Sequence, residues 1–277
     1  MLGKALQIAA GGNFSVVWPD ISTGSFVRFE QTESSTLDKR GVFFKPDGTK
    51  FYVLDANDDI TQYSLSTAWD VSSYTSSDHT IQTDQTNNTI PHGLFFSEDG
   101  TRMFTCQFAT LTKGVCQYSL STAWDISTAS YVRVFDTSTQ ESNPYGVTFS
   151  PDGLNMFVVG DADKVIRYTL STAWDISTAS HTSTSIQMSV DSEYIIASLF
   201  LKPEGDRIYV LGQLRDKILQ WNLATPYDSS EIDLTPDSTF SVGSQEGSGQ
   251  SFYISPDGAH LYVGGGAGHG IDQYTLG

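Results

Sequence analysis

The sequence is poor in basic residues and in cysteine. Lys and Arg number 15 against 32 Asp and Glu, which gives a formal net charge of −17 at pH 7. Nucleic acids and anionic membranes attract proteins through Lys and Arg, which displace counterions, so this charge argues against both partners. Two cysteines in 277 residues cannot make a disulfide-stapled scaffold.

Long apolar runs and familiar catalytic motifs are also missing. No apolar run approaches the roughly 20 residues that a membrane span needs. Neither a GxSxG motif, an HExxH motif nor a phosphate-binding loop occurs. The apolar stretch in residues 1–14 is too short for a signal-peptide core. We predict a short leader or anchor segment there, with a disordered terminus as the alternative.

What the chain has in abundance is an internal repeat. Residues 146–180 read GVTFSPDGLNMFVVGDADKVIRYTLSTAWDISTAS, and edited copies occur before and after them. The turn glycines of the five copies lie 52 or 53 residues apart, at Gly48, Gly100, Gly153, Gly205 and Gly258. A period of this length indicates a repeat architecture. Five units nearly fill the chain, so we predict one repeat domain over residues 15–277.

Each unit has the pattern of four short strands. In the third unit these are Val147–Ser150, Met156–Val159 and Val165–Leu170, followed by an outer strand like Tyr131–Phe135 of the second unit. A Pro-Asp-Gly turn joins the first two strands, and a corner with the sequence STAWDIS precedes the fourth. Four-stranded antiparallel units in a ring make a β-propeller. The predicted fold is therefore all-β, a five-bladed β-propeller.

The two ends of the repeat region complement each other. Residues 15–29 resemble residues 121–135, which is the part that the last unit lacks. We therefore expect Ser25–Thr32 to be the outer strand of the last blade, with Phe26–Phe29 beside Ile271–Leu276. This pairing would close the ring, whereas an open solenoid would need capping repeats.

Two stretches resemble known families. SPDG followed by LYV, at residues 255–263, is similar to the YVTN-type propeller repeat. The LSTAWDIS corner and the short leader resemble propeller proteins of marine tailed phages, which implies a virion-associated tail or fibre protein. The Trp-Asp pairs at 69–70, 124–125 and 174–175 follow the third strand, which departs from WD40 repeats, so the WD40 hydrogen-bond network is not carried over.

The two faces of the predicted ring differ in variability. One face, the repeat face, carries the Pro-Asp-Gly turns and STAWDIS corners, which are nearly the same in every unit. The other, the varied face, carries loops that differ: Asp55–Asp59, Gln107–Gly114, Gly212–Lys217 and Gly264–Gly270. Binding residues gather on variable loops of rigid scaffolds. Neutral drift is the alternative explanation.

One position on the varied face is the strongest candidate for a ligand site. The residue just before each inner strand is expected at the mouth of the central channel, and these residues are Arg40, His92, Tyr145, Ala197 and Gln250. Arg40, His92, Tyr145 and Gln250 differ in hydrogen-bonding character and are predicted to bind a small polar ligand or the end of a glycan. Plugging of the channel by these side chains and water is the alternative.

A corner aromatic recurs once per blade. The set is Trp18, Trp69, Trp124, Trp174 and Tyr227. We interpret it as packing between blades. Stacking on sugars, with one shallow site per blade and avidity between sites, is the alternative. The acids that follow, Asp20, Asp70, Asp125, Asp175 and Asp228, are predicted to cap the corner by accepting backbone N–H groups.

Metal and catalytic sites are not predicted. The oxygen ligands Asp55, Asn57, Asp58 and Asp59 lack the glycine and distal glutamate of an EF-hand. The five histidines show no paired spacing for zinc, and the inner strands carry no carboxylates for glycoside hydrolysis. Cys106 and Cys116 replace aliphatic residues of the third unit and are predicted to be free buried thiols, with a cross-strand disulfide as the alternative.

These observations favour a non-enzymatic binding or structural module without a cofactor. Its expected location is a virion, with other virion proteins or a host-surface glycan or protein as partner, and the cytoplasm as the alternative location. Two rival functions stay open: a soluble lectin with repeated sites, and a hydrolase or lactonase that uses the channel mouth.

Overall fold

Every repeat unit forms a four-stranded antiparallel sheet, and the five sheets form a closed ring. The computed structural model describes residues 18–32, 37–83, 90–108, 113–185, 195–266 and 270–277. The predicted leader, residues 1–14, lies outside the described residues. The five-bladed propeller predicted from the repeat is confirmed.

The strands follow the repeat closely. In chain order they are β1 (Ser25–Glu30), β2 (Lys39–Phe44), β3 (Lys50–Asp55), β4 (Asp59–Ser64), β5 (Ser77–Gln82), β6 (Ile90–Phe96), β7 (Arg102–Phe108), β8 (Lys113–Leu120), β9 (Ala129–Asp136), β10 (Pro144–Phe149), β11 (Asn155–Gly160), β12 (Ile166–Leu170), β13 (Ala179–Thr184), β14 (Ile196–Leu201), β15 (Arg207–Gly212), β16 (Lys217–Asn222), β17 (Ser238–Ser241), β18 (Gly249–Ile254), β19 (His260–Gly265) and β20 (Ile271–Thr275).

Blades 1 to 4 are the sheets β2–β5, β6–β9, β10–β13 and β14–β17. Blade 5 has the order β18-β19-β20-β1, so its outer strand comes from the start of the described chain. Phe26 lies opposite Tyr274 and Phe29 opposite Asp272 in this pairing. The predicted closure of the ring is therefore confirmed, and β1 ends at Glu30 rather than Thr32.

The core lies between blades. Phe44 of blade 1 and Tyr262 of blade 5 are fully buried, with ring centroids 4.0 Å apart. Burying an aromatic side chain of this size stabilises the fold by roughly 1.5–3 kcal/mol. Four-stranded sheets with inward-facing aromatics therefore pack face to face around the axis. In the part of the chain that the structure describes, the helices are single 3₁₀ turns, none of them long enough to cross a membrane.

Local hydrogen bonds and ring packing by the residues of the STAWDIS corner determine its conformation. The Asp125 carboxylate accepts the Ser127 N–H at 3.0 Å and caps the 3₁₀ turn Ile126–Thr128. Trp124 adopts a positive φ of 63°, and its N–H donates to the Gly100 carbonyl at 3.1 Å. Gly100 must lack a Cβ, because that atom would lie 2.3 Å from the Trp124 ring.

The capping prediction for the corner acids is confirmed in all five blades. Each carboxylate accepts the N–H of the serine two residues on, at 2.9 or 3.0 Å: Asp20, Asp70, Asp125, Asp175 and Asp228. This bond fixes the corner in the same shape each time. The corners therefore hold equivalent positions around the repeat face.

A recurring glutamine on the third strand connects blades. Gln62 accepts the Ile126 N–H of the next corner at 3.2 Å, and Gln220 accepts the Ile21 N–H at 3.1 Å. Gln117 and Gln273 instead donate to the carbonyls of Trp174 and Trp69. Blade 3 has Arg167 at this position, and its guanidinium binds Asn155 of its own blade.

Candidate functional site

The five residues predicted at the channel mouth lie on the varied face, and the structure brings them together. Arg40, His92, Tyr145, Ala197 and Gln250 line one cavity of about 270 Å³, which we call the polar mouth. The cavity is also lined by Phe108 and Gln213, at or just beyond the ends of β7 and β15. One side chain from each blade therefore faces the same space.

The prediction that these residues precede the inner strands is wrong. Each lies inside its strand, one or two residues after the strand begins, as Arg40 follows Lys39 of β2. In blade 1, Lys39 pairs with Asp55 and Gly41 with Leu54, so Arg40 is the extra residue of a β-bulge. Tyr145, Ala197 and Gln250 have the same place in their blades. A bulge turns a side chain away from the sheet face, which directs these residues into the mouth.

Arg40 is the cation of the polar mouth. Within the described chain it has no hydrogen-bond or ion-pair partner, and its Nε atom is buried without a partner. Asp38 also lines the cavity, but the described structure shows no ion pair between Asp38 and Arg40. A guanidinium presents a fork of N–H donors that suits a carboxylate or phosphate. The unpaired fork gives this mouth an anion-binding character in an otherwise acidic protein.

His92 lies beside Arg40 and is neutral. Burial, and then the positive charge of Arg40, lower the pKa of the His92 imidazole to about 3. Its ring packs against Tyr145, with centroids 4.8 Å apart, and against Phe108 at 5.5 Å. Burial and a hydrogen bond to Asp161 raise the pKa of the Tyr145 hydroxyl. Neither His92 nor Tyr145 therefore changes its charge over the physiological pH range.

Gln250 supplies a neutral hydrogen-bonding group. Gln250 is 7% exposed and lines the cavity. Its amide offers N–H donors and a carbonyl acceptor to a polar ligand.

The channel is narrow in the middle. Its waist encloses about 30 Å³ between the small residues Gly41, Gly93, Gly146, Ser198 and Ser251. That space is of the order of one or two water molecules. The two mouths are therefore separate sites.

The mouth on the repeat face is apolar, and sequence reasoning missed it. A funnel of about 370 Å³, the apolar mouth, opens there. Its walls include Phe43, Phe95, Phe200 and Tyr253 of the inner strands and Trp124 and Trp174 of the corners. The available sequence signal was the aromatic residue three places before the Pro or Glu that opens the first turn, which occurs in four of five units.

The corner aromatics pack between blades. Trp124 of blade 2 stacks on Phe43 of blade 1, with centroids 6.4 Å apart, and Trp69 of blade 1 stacks on Tyr253 of blade 5 at 6.5 Å. The other face of each ring covers the turn glycine of its own blade, as Trp69 covers Gly48. Trp18 and Trp174 follow the same pattern, and Tyr227 covers Gly205. This geometry favours packing over the stacking of one sugar per blade.

The remaining sequence candidates have local roles. Asp55 accepts the N–H groups of Asn57 and Asp59, at 2.9 and 3.4 Å, so it shapes its own turn. The described chain contains no cluster of three or more metal-ligating side chains. Cys106 and Cys116 are free and buried, as predicted. Residues 109–112 and 267–269 of the varied loops lie outside the described residues.

No protein-family model and no curated protein matches this chain in sequence. Among solved structures the chain is similar to a "putative 6-phosphogluconolactonase" from Bacteroides uniformis, with 18% identity and a TM-score of 0.47. The match covers 80% of this chain, which spans 62% of the length of that structure. At this identity and TM-score the likeness carries no information about a ligand or a reaction.

Proposed function

We propose that this protein is a non-enzymatic binding module that holds the anionic end of a polar ligand in the polar mouth. The observation that carries the proposal is the unpaired Arg40, turned by a β-bulge into a cavity to which every blade contributes. Around it, the amides of Gln213 and Gln250 offer further N–H donors. The ligand class that fits best is a carboxylate-bearing sugar at the end of a glycan.

The cavity suits the end of a chain rather than a whole glycan. Its volume of about 270 Å³ is near the lower limit for small-ligand sites, roughly 300–1,000 Å³. The walls formed by Phe108 and Ala197 give the sugar ring an apolar surface, while Arg40 binds the carboxylate. Because His92 stays neutral, binding would not change between about pH 5 and 8.

Calorimetric titration with glucuronate and N-acetylneuraminate, against glucose as the neutral control, tests the proposal. We expect binding of an acidic sugar that Arg40→Gln weakens at least tenfold, since the fork of charge-assisted bonds is lost. Arg133→Gln is the matched control, because Arg133 pairs with Asp175 on an outer strand far from the mouth. Equal binding of glucose, or an Arg40→Gln protein with unchanged affinity, would contradict the proposal.

A panel of lactones, esters and glycosides distinguishes the rival hydrolase. We expect no turnover. Turnover that Arg40→Gln or His92→Ala abolishes would replace the binding function with an enzymatic one at the same mouth. Binding of several sugars per protein molecule that depends on Trp69 or Trp124 would support the lectin with repeated sites.

We also propose a phage virion as the setting, with the protein as a tail or fibre component and the varied face toward a partner. The support is the resemblance of the LSTAWDIS corner and of the leader sequence. Mass spectrometry of purified particles and of the cytosolic fraction from the same lysed culture tests it. Recovery from the cytosol alone would contradict this setting.

A further inference from the structure

The apolar mouth has the dimensions and composition of a ligand site. Its volume of about 370 Å³ falls in the range of small-molecule sites, which are largely apolar with a few placed polar groups. The waist separates it from the polar mouth, so it is a second and independent site.

The aromatic collar of this mouth has one gap. Four inner strands place an aromatic ring around the axis, namely Phe43, Phe95, Phe200 and Tyr253, and neighbouring rings such as Phe43 and Tyr253 are 5.1 Å apart. Blade 3 has Thr148 instead. Next to it, the corner of blade 4 carries Tyr227 in place of a tryptophan. The sector between blades 3 and 4 is therefore less filled than the others.

Thr148 is 4% exposed and lines the cavity in that sector. A threonine hydroxyl can both donate and accept a hydrogen bond. Thr148 therefore offers a ligand one polar contact in an otherwise apolar wall.

The rim of the apolar mouth carries one carboxylate where the repeat has proline. Pro46, Pro151, Pro203 and Pro256 line the rim in four blades, and Glu98 takes this place in blade 2. Glu98 has no ion-pair or hydrogen-bond partner within the described chain. By contrast, the nearby cations of two other blades are paired: Lys45 with Asp47, and Lys202 with Asp206.

The negative potential of this rim affects a neighbouring tyrosine. Burial, and then the charges of Asp152, Glu204, Asp206 and Glu98, raise the pKa of the Tyr227 hydroxyl. A net charge of −17 adds a long-range attraction for cations. The rim carboxylates therefore disfavour anions at this mouth, whereas the polar mouth contains the Arg40 guanidinium.

We propose that the apolar mouth binds a monovalent organic cation of the quaternary ammonium class, with its apolar body against the collar and its charge between the aromatic faces and Glu98. Aromatic rings attract such cations through their quadrupoles, and desolvation strengthens the attraction. A hydrated metal ion lacks the apolar body, and a neutral apolar molecule leaves Glu98 unused. We choose a cation with an apolar body because the aromatic collar and the Glu98 carboxylate line the same cavity.

Titration with benzyltrimethylammonium and with its uncharged carbon isostere, neopentylbenzene, tests the proposal. We expect the cation to bind at least tenfold more tightly than the isostere. Glu98→Gln should weaken the cation about fivefold and leave the isostere unchanged, because only the charge is removed. Glu204→Gln is the matched control, a rim carboxylate that does not line the cavity, and should change the affinity less than twofold.

Two variants taken from the repeat itself keep the test independent of folding. Thr148→Phe restores the collar residue of blades 1, 2 and 4 and should abolish binding with the thermal midpoint maintained. Glu98→Pro restores the rim residue of the other blades and should match Glu98→Gln. Equal affinity for cation and isostere, no binding of the cation, or unchanged binding in Glu98→Gln and Thr148→Phe would each overturn the proposal.

Discussion

The acidic residues of the two faces differ in the sign of their pKa shifts. At the corners of the repeat face, hydrogen bonds from Ser72, Ser127, Ser177 and Ser230 lower the pKa of the four acids that they contact: Asp70, Asp125, Asp175 and Asp228. On the varied face, burial raises the pKa of Asp58, Asp59, Glu141, Asp216 and Asp272. Asp136 is an exception on this face, because hydrogen bonds from Ser138 lower its pKa.

The difference separates structural from functional parts of the molecule. On the repeat face each of these carboxylates is satisfied by a neighbour within a few residues, so these groups stabilise the fold. The varied face contains polar groups that folding places in unfavourable surroundings: the Arg40 Nε is buried without a partner, and burial raises the pKa of Asp272. Such groups are retained at a cost in stability, which is typical of functional sites.

The largest effect is expected from Trp124→Ala on the repeat face. The ring packs on Phe43 and covers Gly100, and losing a large, partly buried aromatic costs about 3–4 kcal/mol of unfolding free energy. Chemical denaturation measures it. Arg40→Gln at the polar mouth is the control, which we expect to be neutral or stabilising because it removes an unpaired charge. A destabilisation by Arg40→Gln as large as that of Trp124→Ala would break the comparison.

A smaller effect with the opposite sign is expected from Asp272→Asn. Burial, and then the charge of Glu246, raise the pKa of Asp272 to about 7 from 3.8, so the native state binds the proton more tightly than the unfolded chain. Stability is then fully present below about pH 4 and is lost as the pH rises to 7. With roughly 1.4 kcal/mol per pKa unit and some relaxation, we expect the variant to gain about 2–3 kcal/mol at pH 8.

At pH 4 the Asp272→Asn protein and the natural protein should have nearly equal unfolding free energies, because the native carboxyl is then protonated and, like the amide, uncharged. Denaturation curves from pH 4 to 8 give the result directly. A constant difference over the whole range would show that the substitution acts through packing rather than charge.

The smallest effect is expected from Asp175→Asn on the repeat face. The hydrogen bond from Ser177 lowers the pKa of Asp175, so its contribution is present above about pH 4 and is lost as the pH falls through the lowered pKa. The carboxylate also pairs with Arg133 at 2.9 Å, but both groups are more than a third exposed and are screened by water. We expect a loss of about 0.5 kcal/mol at pH 7 that shrinks as the pH falls through the lowered pKa. A larger loss in acid than at neutral pH would contradict this sign.

Much of the ring was predictable because the information is local and repeated. A Pro-Asp-Gly turn or its variant every 52 or 53 residues defines the hairpins, and an N-terminal echo of residues 121–135 defines the closing strand. The polar mouth followed from aligning one position in five units. The β-bulges at this mouth could not be predicted in the same way, because the extra residue of a bulge is recognised only from the pairing of two strands.

Features that depend on how neighbouring blades face each other were not predictable. The gap at Thr148 of blade 3 is a cavity only because the rings of Phe95 and Phe200, from the two adjacent blades, line the space beside it. The shifted pKa of Asp272 arises from burial and the charge of Glu246, which is 26 residues away in the chain (272 − 246). The bonds of Gln117 and Gln273 to corner carbonyls were likewise hidden, although a glutamine before an aromatic residue recurs in four units.

The pairing of β1 with β20 also sets the order of events during synthesis. The sheet that contains both strands stays incomplete until Thr275 has left the ribosome. Phe26 and Phe29 of β1 therefore have no strand to pair with while the four other blades are synthesised. Such a contact between distant parts of the chain forms slowly, since its loop-closure entropy must be overcome first. The growing polypeptide therefore carries an open edge with Phe26 and Phe29 until Thr275 has emerged, and an unpaired strand edge of this kind favours aggregation.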